Sequence, residues 1–274
     1  MFAGSFTLEA AEAVCPEDEV FFGAARLREQ SLLRTEDAGE EVRFRLLETL
    51  RDYGQEKLRE RGNEEAELVA MRHARHFAEV AGREIPTRLS APDGAAMAEL
   101  VRDTDNFRAA LDWLLVRGTA DEAAAMVVAL AGLWERQGRF REGRAYLTRC
   151  LERQTEIQDR SCIAVLLGKA GWFAYQEQDY SAACEQAERK LALCRDLGNA
   201  AGESSALNDL ALIAQAQGYV TEAWERFEQA LVHSDEQAGH LHPLLAQAMR
   251  DGLESQLEEL REDIATYEQL RTGR

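Results

Sequence analysis

Three short segments recur along the chain at a constant 40-residue interval, and they decide the predicted fold: Gln137-Gly138-Arg139-Phe140, Glu177-Gln178-Asp179-Tyr180 and Gln217-Gly218-Tyr219-Val220. The same interval relates apolar residues outside these segments. One corresponding set is Leu147, Ala187 and Phe227, and another is Leu151, Leu191 and Leu231. Self-similarity at a fixed interval of about 20 to 50 residues is typical of repeat architectures. The sequence therefore predicts a supersecondary unit that is repeated along the chain.

Apolar residues within one unit follow the spacing of an amphipathic helix on both sides of the turn. Leu130 and Trp134 precede the first turn, and Leu147 and Leu151 follow it. Each unit is therefore predicted to be a helical hairpin, which cannot bury its apolar face alone. We predict an all-α fold in which successive hairpins stack into a right-handed α-α superhelix.

The second helix of the last unit resembles the tetratricopeptide repeat. In that family a small residue follows the turn, an aromatic residue lies four positions later and Ala lies three beyond that. Here these positions hold Ala223, Phe227 and Ala230. The middle unit departs from the pattern, with Ala187 and Lys190 at the last two positions, and the interval is longer than the usual length of about 34 residues. The resemblance implies long, divergent tetratricopeptide-like hairpins.

The composition excludes several classes of protein. The 274 residues include 32 Lys and Arg against 50 Asp and Glu, a net charge of −18 that repels phosphate backbones and anionic lipids. The longest apolar run, from Ala123 to Trp134, is shorter than the roughly 20 residues that cross a bilayer. Five scattered cysteines form no CxxC motif. We therefore expect a cytoplasmic protein with no membrane partner and no direct contact with nucleic acid.

Residues 1–61 follow a different pattern from the repeats. Helices are predicted near Thr7 to Val14 and Glu19 to Gln30, and a third from Leu47 to Arg61. Two short apolar runs, Ser31 to Arg34 and Val42 to Leu46, flank an Asp- and Gly-containing turn and predict a hairpin. The order predicts a small winged-helix-like unit over residues 1–61, truncated at its start.

The remaining chain is predicted to comprise the repeat array over 62–238 and a capping or coiled-coil helix over 239–274. The array begins with helices from Glu64 to Gly82 and from Ala95 to Arg117, separated by a segment that contains Pro86 and Pro92. In the last segment, apolar residues at alternating intervals of four and three form one stripe on an acidic helix: Leu253, Leu257, Leu260, Ile264 and Tyr267.

Three segments together resemble a larger family. Phe2 to Cys15, Phe44 to Tyr53 and Asp105 to Trp113 are similar to the C-terminal part of bacterial signal-transduction ATPases, the NB-ARC, AfsR and LuxR-type regulators. The resemblance implies a winged helix and tetratricopeptide repeats that follow, or associate with, an ATPase module. In many members a Met-His-Asp motif in the winged helix senses nucleotide phosphate. Here Leu46, Leu47 and Glu48 occupy those positions, so the phosphate-sensing His is absent.

Motifs for catalysis or cofactor binding are not found in the sequence. A P-loop requires GxxxxGK[ST], but Lys169, the one lysine that follows a glycine, is followed by Ala170. His73 and His76 lie three residues apart on a predicted helix and could share a metal with Glu79, although ordinary helix packing is the favoured interpretation. We predict no catalytic, cofactor-binding or metal-binding residues.

The sequence thus favours a non-catalytic interaction or sensor region of a bacterial signal-transduction or transcriptional regulator. A free-standing adaptor made of repeats is the alternative. In either case a protein or peptide partner is expected on the concave face, which the first helix of each hairpin lines. The predicted partner-binding residues are Glu135, Arg136, Trp172, Tyr175, Gln176, Asn208 and Gln215.

Overall fold

A computed structural model describes residues 2–15, 20–38, 41–90 and 94–237, together with Ser255, Glu258 and Arg261. The chain divides into two compact units, Met1–Arg136 and Gln137–Arg274. The predicted domain limits after residues 61 and 238 stay predictions, and most of the predicted C-terminal helix lies outside the described residues. No helix of the described part is both long enough and apolar enough to cross a membrane.

Helices dominate both units. The first contains α1 (Leu8–Val14), α2 (Val20–Glu29), strands β1 (Leu33–Ala38) and β2 (Glu41–Leu46), α3 (Glu48–Arg61), α4 (Asn63–Leu89), α5 (Gly94–Arg102), α6 (Thr104–Arg117) and α7 (Ala120–Arg136). The second contains α8 (Phe140–Glu152), a short 3-10 turn (Gln154–Glu156), α9 (Arg160–Gln176), α10 (Tyr180–Leu197), α11 (Ala200–Ala216) and α12 (Val220–Gln237). The predicted all-α class with tetratricopeptide-like hairpins is confirmed.

The 40-residue interval of the sequence is visible in the backbone itself. Helices α9 and α11 end at corresponding positions of the repeat, and α10 and α12 begin at corresponding positions. The turn residues Gly138, Gln178 and Gly218 share a left-handed conformation, with φ of 65°, 61° and 82°. Glycine adopts this region without steric cost, whereas Gln178 is one of the less common non-glycine residues found there. The repeat therefore preserves the turn conformation even where the glycine has been lost.

Corresponding apolar residues occupy the core of the second unit. Phe227 is fully buried, and its counterparts Leu147 and Ala187 are buried as well. Leu191 is also buried, at 6% exposure, whereas Leu231 at the same repeat position is only partly buried. Leu231 lies on α12, the last of the described hairpin helices, so no later described hairpin covers it.

Two helices of the first unit differ from the prediction. Helix α4 continues through Pro86 to Leu89, although proline removes a backbone hydrogen bond, and the adjacent Ile85 is fully buried. The helix predicted from Ala95 to Arg117 is instead divided into α5 and α6 at Asp103.

The predicted order of helix, helix, hairpin and helix is observed at the start of the chain. Strand β1 begins at Leu33 and pairs antiparallel with β2, with Leu33 opposite Leu46. Phe6 extends this pairing through a bridge to Phe44, whose backbone groups exchange hydrogen bonds with it at 2.9 and 2.7 Å. The hairpin is thereby joined to the segment that precedes α1.

The three segments that resemble the ATPase family meet around Asn106. Its fully buried side chain accepts hydrogen bonds from the backbone N–H groups of Ala3 (3.0 Å) and Gly4 (3.1 Å), and donates one to the carbonyl of Ser5 (2.8 Å). Arg51 donates to the carbonyl of Ala3 at 2.8 Å. The extended residues before α1 are therefore held by α6 on one side and α3 on the other.

A buried arginine strengthens the same junction. Arg43 of β2 donates to the hydroxyl and the carbonyl of Ser5, both at 3.0 Å, and forms an ion pair with Asp103, where α5 ends and α6 begins. Because Arg43 is only 5% exposed, loss of Asp103 would leave a buried charge without its counterion.

His73 is expected to make the stability of the first unit depend on pH. Burial lowers its pKa to about 3, from a usual value of 6.5, and its Nε2 atom has no hydrogen-bond partner. Below pH 6.5 the unfolded chain binds a proton that folded His73 does not bind. Stability is therefore lost progressively as the pH falls from 6.5 towards 3.

The His73→Phe variant tests this expectation, because Phe2 and Phe77 already pack against the imidazole with ring centroids 5.5 and 4.7 Å away. Urea unfolding between pH 7 and pH 4 should show a smaller loss of stability in the variant than in the wild type. If the free energy of unfolding falls equally with pH in both proteins, the lowered pKa of His73 does not contribute to stability. The comparison cancels the contribution of the carboxylates, which both proteins share.

Candidate functional site

A small cleft in the second unit, with a volume of about 10 Å³, is formed by α9, α10 and α11. Its walls are mostly apolar, and Asp209 is the charged residue among those that line it. Trp172 and Tyr175 line it from α9, one helical turn apart. The remaining lining residues are Leu167, Gly168, Gly171, Ala183, Ala187, Leu212 and Ile213. We call this the α9–α11 cleft.

The two aromatic side chains form a stacked pair. Their ring centroids lie 5.4 Å apart with an interplanar angle of 12°, and both residues are half-buried. Tyr175 also meets Tyr180 of α10 edge to face, at 5.8 Å. These contacts orient the pair while part of each side chain stays accessible to a partner.

Two glycines of α9 allow neighbouring groups to approach closely. A Cβ atom at Gly171 would lie 3.4 Å from the backbone carbonyl of Ala183 on α10. A Cβ atom at Gly168 would lie 3.2 Å from Nζ of Lys190. The space at Gly168 is therefore filled by a lysine side chain from the neighbouring helix.

Lys190, whose side chain is largely buried, forms an ion pair beside the cleft with the partly exposed Asp209. Its ammonium group donates to Asp209 and to the hydroxyl of Ser205, both at 2.8 Å. Burial raises the pKa of Asp209, and the positive charge of Lys190 acts in the opposite direction. Such a pair adds little net stability, because the cost of desolvating both charges offsets their attraction.

The structure brings together only two of the predicted partner-binding residues, Trp172 and Tyr175. Gln176 is exposed at the end of α9, whereas Asn208 and Gln215 are half-buried on α11 and do not line the cleft. In the first unit, Glu135 is half-buried, and Arg136 donates to the carbonyl of Leu89 at 2.8 Å. The assignment of these residues to partner binding stays a prediction.

Sequence reasoning missed the polar group next to the aromatic pair. Lys190 occupies the repeat position at which Cys150 and Ala230 stand in the other units, so its unusual chemistry was visible in the alignment of repeats. Its partners Asp209 and Ser205 were not visible, because they lie on the next hairpin and the pairing depends on how α10 packs against α11.

The two histidines of α4 lie next to aromatic side chains. His73 is buried against Phe2 and Phe77, and His76 is half-buried. Within the described ranges, no group of three or more His, Cys, Asp or Glu side chains could hold a metal ion.

The amino-acid sequence is similar to one group of curated proteins. The chain is 28% identical over 219 residues to proteins of Mycobacterium bovis and of two strains of Mycobacterium tuberculosis that bear the provisional name HTH-type transcriptional regulator. The similarity covers 75% of this chain and 24% of each relative, so the chain spans about a quarter of the length of the curated relatives it matches. The chain matches no model of a known protein family.

Solved structures show a looser likeness. A kinesin light chain-like protein of Podospora anserina with tetratricopeptide-like repeats has a TM-score of 0.47 and 19% identity, and covers 72% of this chain and 95% of its own. A signal-transduction ATPase of Pyrococcus horikoshii with a tetratricopeptide repeat sensor has a TM-score of 0.44 and 15% identity, and the similarity covers 97% of this chain and 48% of the ATPase chain. Both TM-scores lie below 0.5, so neither structure defines the function of this chain.

Proposed function

We propose that this chain is the protein-interaction and sensor region of a bacterial signal-transduction or transcriptional regulator. It acts in the cytoplasm by binding a protein or peptide and carries out no catalysis itself. Residues 1–61 act as a winged-helix-like connection to an ATPase module, as the resemblance implies. Similarity to the mycobacterial regulators supports this assignment over a free-standing adaptor.

The stacked pair of Trp172 and Tyr175 in the α9–α11 cleft is the observation that carries the proposal. Hot spots of protein interfaces are enriched in Trp and Tyr that become desolvated on binding. Here the pair is oriented by Tyr180 and stands beside an ion pair that gives the cleft a polar end. An apolar side chain of a bound peptide would pack on the rings, and its backbone would lie near Lys190 and Asp209.

Replacing both aromatic residues by Ala is expected to raise the dissociation constant for the partner by at least about 30-fold, because a hot-spot residue contributes about 2 kcal/mol or more. The partner is first isolated on the immobilised chain and identified by mass spectrometry. Its affinity for the wild type and for Trp172→Ala/Tyr175→Ala is then measured by calorimetry.

Val165→Ala is the matched control, because Val165 is an exposed apolar residue of the same helix that does not line the cleft. Its affinity should equal that of the wild type. If the double variant keeps its helical circular dichroism and binds the partner as tightly as the control, the cleft is not the binding site.

A further inference from the structure

The middle hairpin, formed by α9 and α10, has lost apolar volume that the neighbouring repeats keep. At one repeat position of the first helix, α7 carries Leu130, α9 carries Ala170 and α11 carries Leu210. Both leucines are buried. Four residues later along α9, Ala174 stands where α7 carries the buried Trp134. The small residues of α9 therefore leave space that larger side chains fill at the corresponding positions.

This space is part of a cavity of about 380 Å³ among α8, α9 and α10. Ala170, Ala174, Ala182 and Leu151 give the cavity an apolar floor. Because successive residues of a helix lie about 100° apart around its axis, Ala170 and Ala174 are on the opposite face of α9 from Trp172. The cavity shares no lining residue with the α9–α11 cleft. Its volume lies in the range of small-molecule sites, about 300–1,000 Å³.

A guanidinium group without a carboxylate partner lines the cavity. Arg189 of α10 is half-buried, and it donates to the side-chain oxygens of Gln186 at 3.0 Å and of Gln154 at 3.1 Å. Both acceptors are neutral amides. Within the described ranges, the other three N–H groups of Arg189 have no hydrogen-bond partner, and no carboxylate lies at ion-pair distance. Such a planar fork matches the two oxygens of a carboxylate.

The cavity also presents negative charge. Glu185, one helical turn before Arg189, and Glu152 at the end of α8 both line it, and neither forms an ion pair with a residue of the described part. Arg144, the other cation of the lining, is already paired with two carboxylates. The cavity thus combines one unpaired cation, two unpaired carboxylates and an apolar floor.

We propose that this cavity binds a free amino acid with an apolar side chain. The carboxylate of the ligand accepts hydrogen bonds from Arg189, and its ammonium group faces Glu185 and Glu152. Its side chain packs against Ala170 and Ala174. A simple carboxylic acid is repelled by the two glutamates, and a simple amine leaves the arginine unpaired, so a ligand with both charges complements the lining best. This inference does not rest on the proposed function, because it concerns the other face of α9.

The test compares leucine with two compounds that each lack one of its charged groups, 4-methylpentanoate and 3-methylbutylamine. Calorimetric titration of the full chain should give a dissociation constant on the order of 100 µM for leucine. Both other compounds should bind at least about tenfold more weakly, because each leaves charged groups of the cavity unpaired. The net charge of −18 by itself favours the amine, so a preference for leucine excludes non-specific attraction. Equal affinity for leucine and either compound would overturn the proposal, as would absence of leucine binding up to about 10 mM.

Two variants then locate the site. Ala170→Leu restores the residue of the neighbouring repeats and fills the cavity, and Arg189→Gln removes the guanidinium group. Each should raise the dissociation constant for leucine about tenfold or more while the helical circular dichroism is retained. Arg149→Gln is the matched control, because Arg149 has the same repeat position on α8 and does not line the cavity. Wild-type affinity in Ala170→Leu or in Arg189→Gln would contradict the proposed site.

The Trp172→Ala/Tyr175→Ala variant separates this proposal from the previous one. Neither aromatic residue lines the cavity, so the variant should bind leucine as tightly as the wild type does. Loss of leucine binding in this variant would instead assign leucine to the α9–α11 cleft and overturn the proposal.

Discussion

Asn106→Ala is expected to lower the free energy of unfolding of the first unit by about 3 kcal/mol or more, because an unsatisfied buried group costs about 1–3 kcal/mol. The substitution leaves the N–H groups of Ala3 and Gly4 without their acceptor. The bond to the carbonyl of Ser5 is lost as well. Because Asn106 joins the extended residues before α1 to α6, the loss should loosen this whole junction.

Urea unfolding of this variant is best followed in a Trp172→Phe/Trp224→Phe background, which leaves Trp113 and Trp134 as fluorescence reporters in the first unit. Asp105→Ala is the matched control. Asp105 is the preceding residue and forms an exposed ion pair with Arg108, so its loss should change stability by less than about 0.5 kcal/mol. Similar unfolding midpoints for the two variants would show that the Asn106 junction does not stabilise the unit.

Leu191→Ala is expected to destabilise the second unit by about 2–5 kcal/mol, the range measured when a buried leucine is truncated. The side chain is 6% exposed and belongs to a core cluster with Leu207, Leu210 and Phe227. Hydrogen exchange measured by mass spectrometry on peptides from α10 and α11 reports the change within this unit alone.

Leu231→Ala provides the comparison, because Leu231 has the same repeat position but is only partly buried. Its truncation leaves a smaller cavity and should cost clearly less than that of Leu191. The burial inferred from the repeat register is wrong if the α10 and α11 amide hydrogens of Leu191→Ala exchange at the wild-type rate. It is also wrong if the two variants are equally destabilised.

The repeat hairpins were predictable because their determinants are local. An apolar residue every three or four positions specifies an amphipathic helix, and a turn at a constant interval specifies where it reverses. Leu147, Ala187 and Phe227 are therefore buried as corresponding residues should be. Of the predicted partner-binding residues, Trp172 and Tyr175 meet in one cleft, because their spacing places both on one face of α9.

The end of α4 could not be predicted, because it depends on a balance between a local and a distant contribution. Proline disfavours the helix locally, but burial of Ile85 against other elements favours its continuation. At the break between α5 and α6, Asp103 forms an ion pair with Arg43, a residue 60 positions earlier in the chain, and no local pattern predicts this contact.

The sequence by itself determined the helical class, the repeat interval and the order of helices and hairpin in residues 1–61, since each follows from periodicity and turn residues within a short window. The tertiary structure alone decided which distant side chains meet. It places Asn106 against Ala3 and Gly4, and Lys190 next to Gly168 and Asp209, and it leaves Phe21, Phe22 and Leu27 of α2 exposed. These features depend on the packing of elements far apart in the chain, and a local pattern carries no record of such contacts.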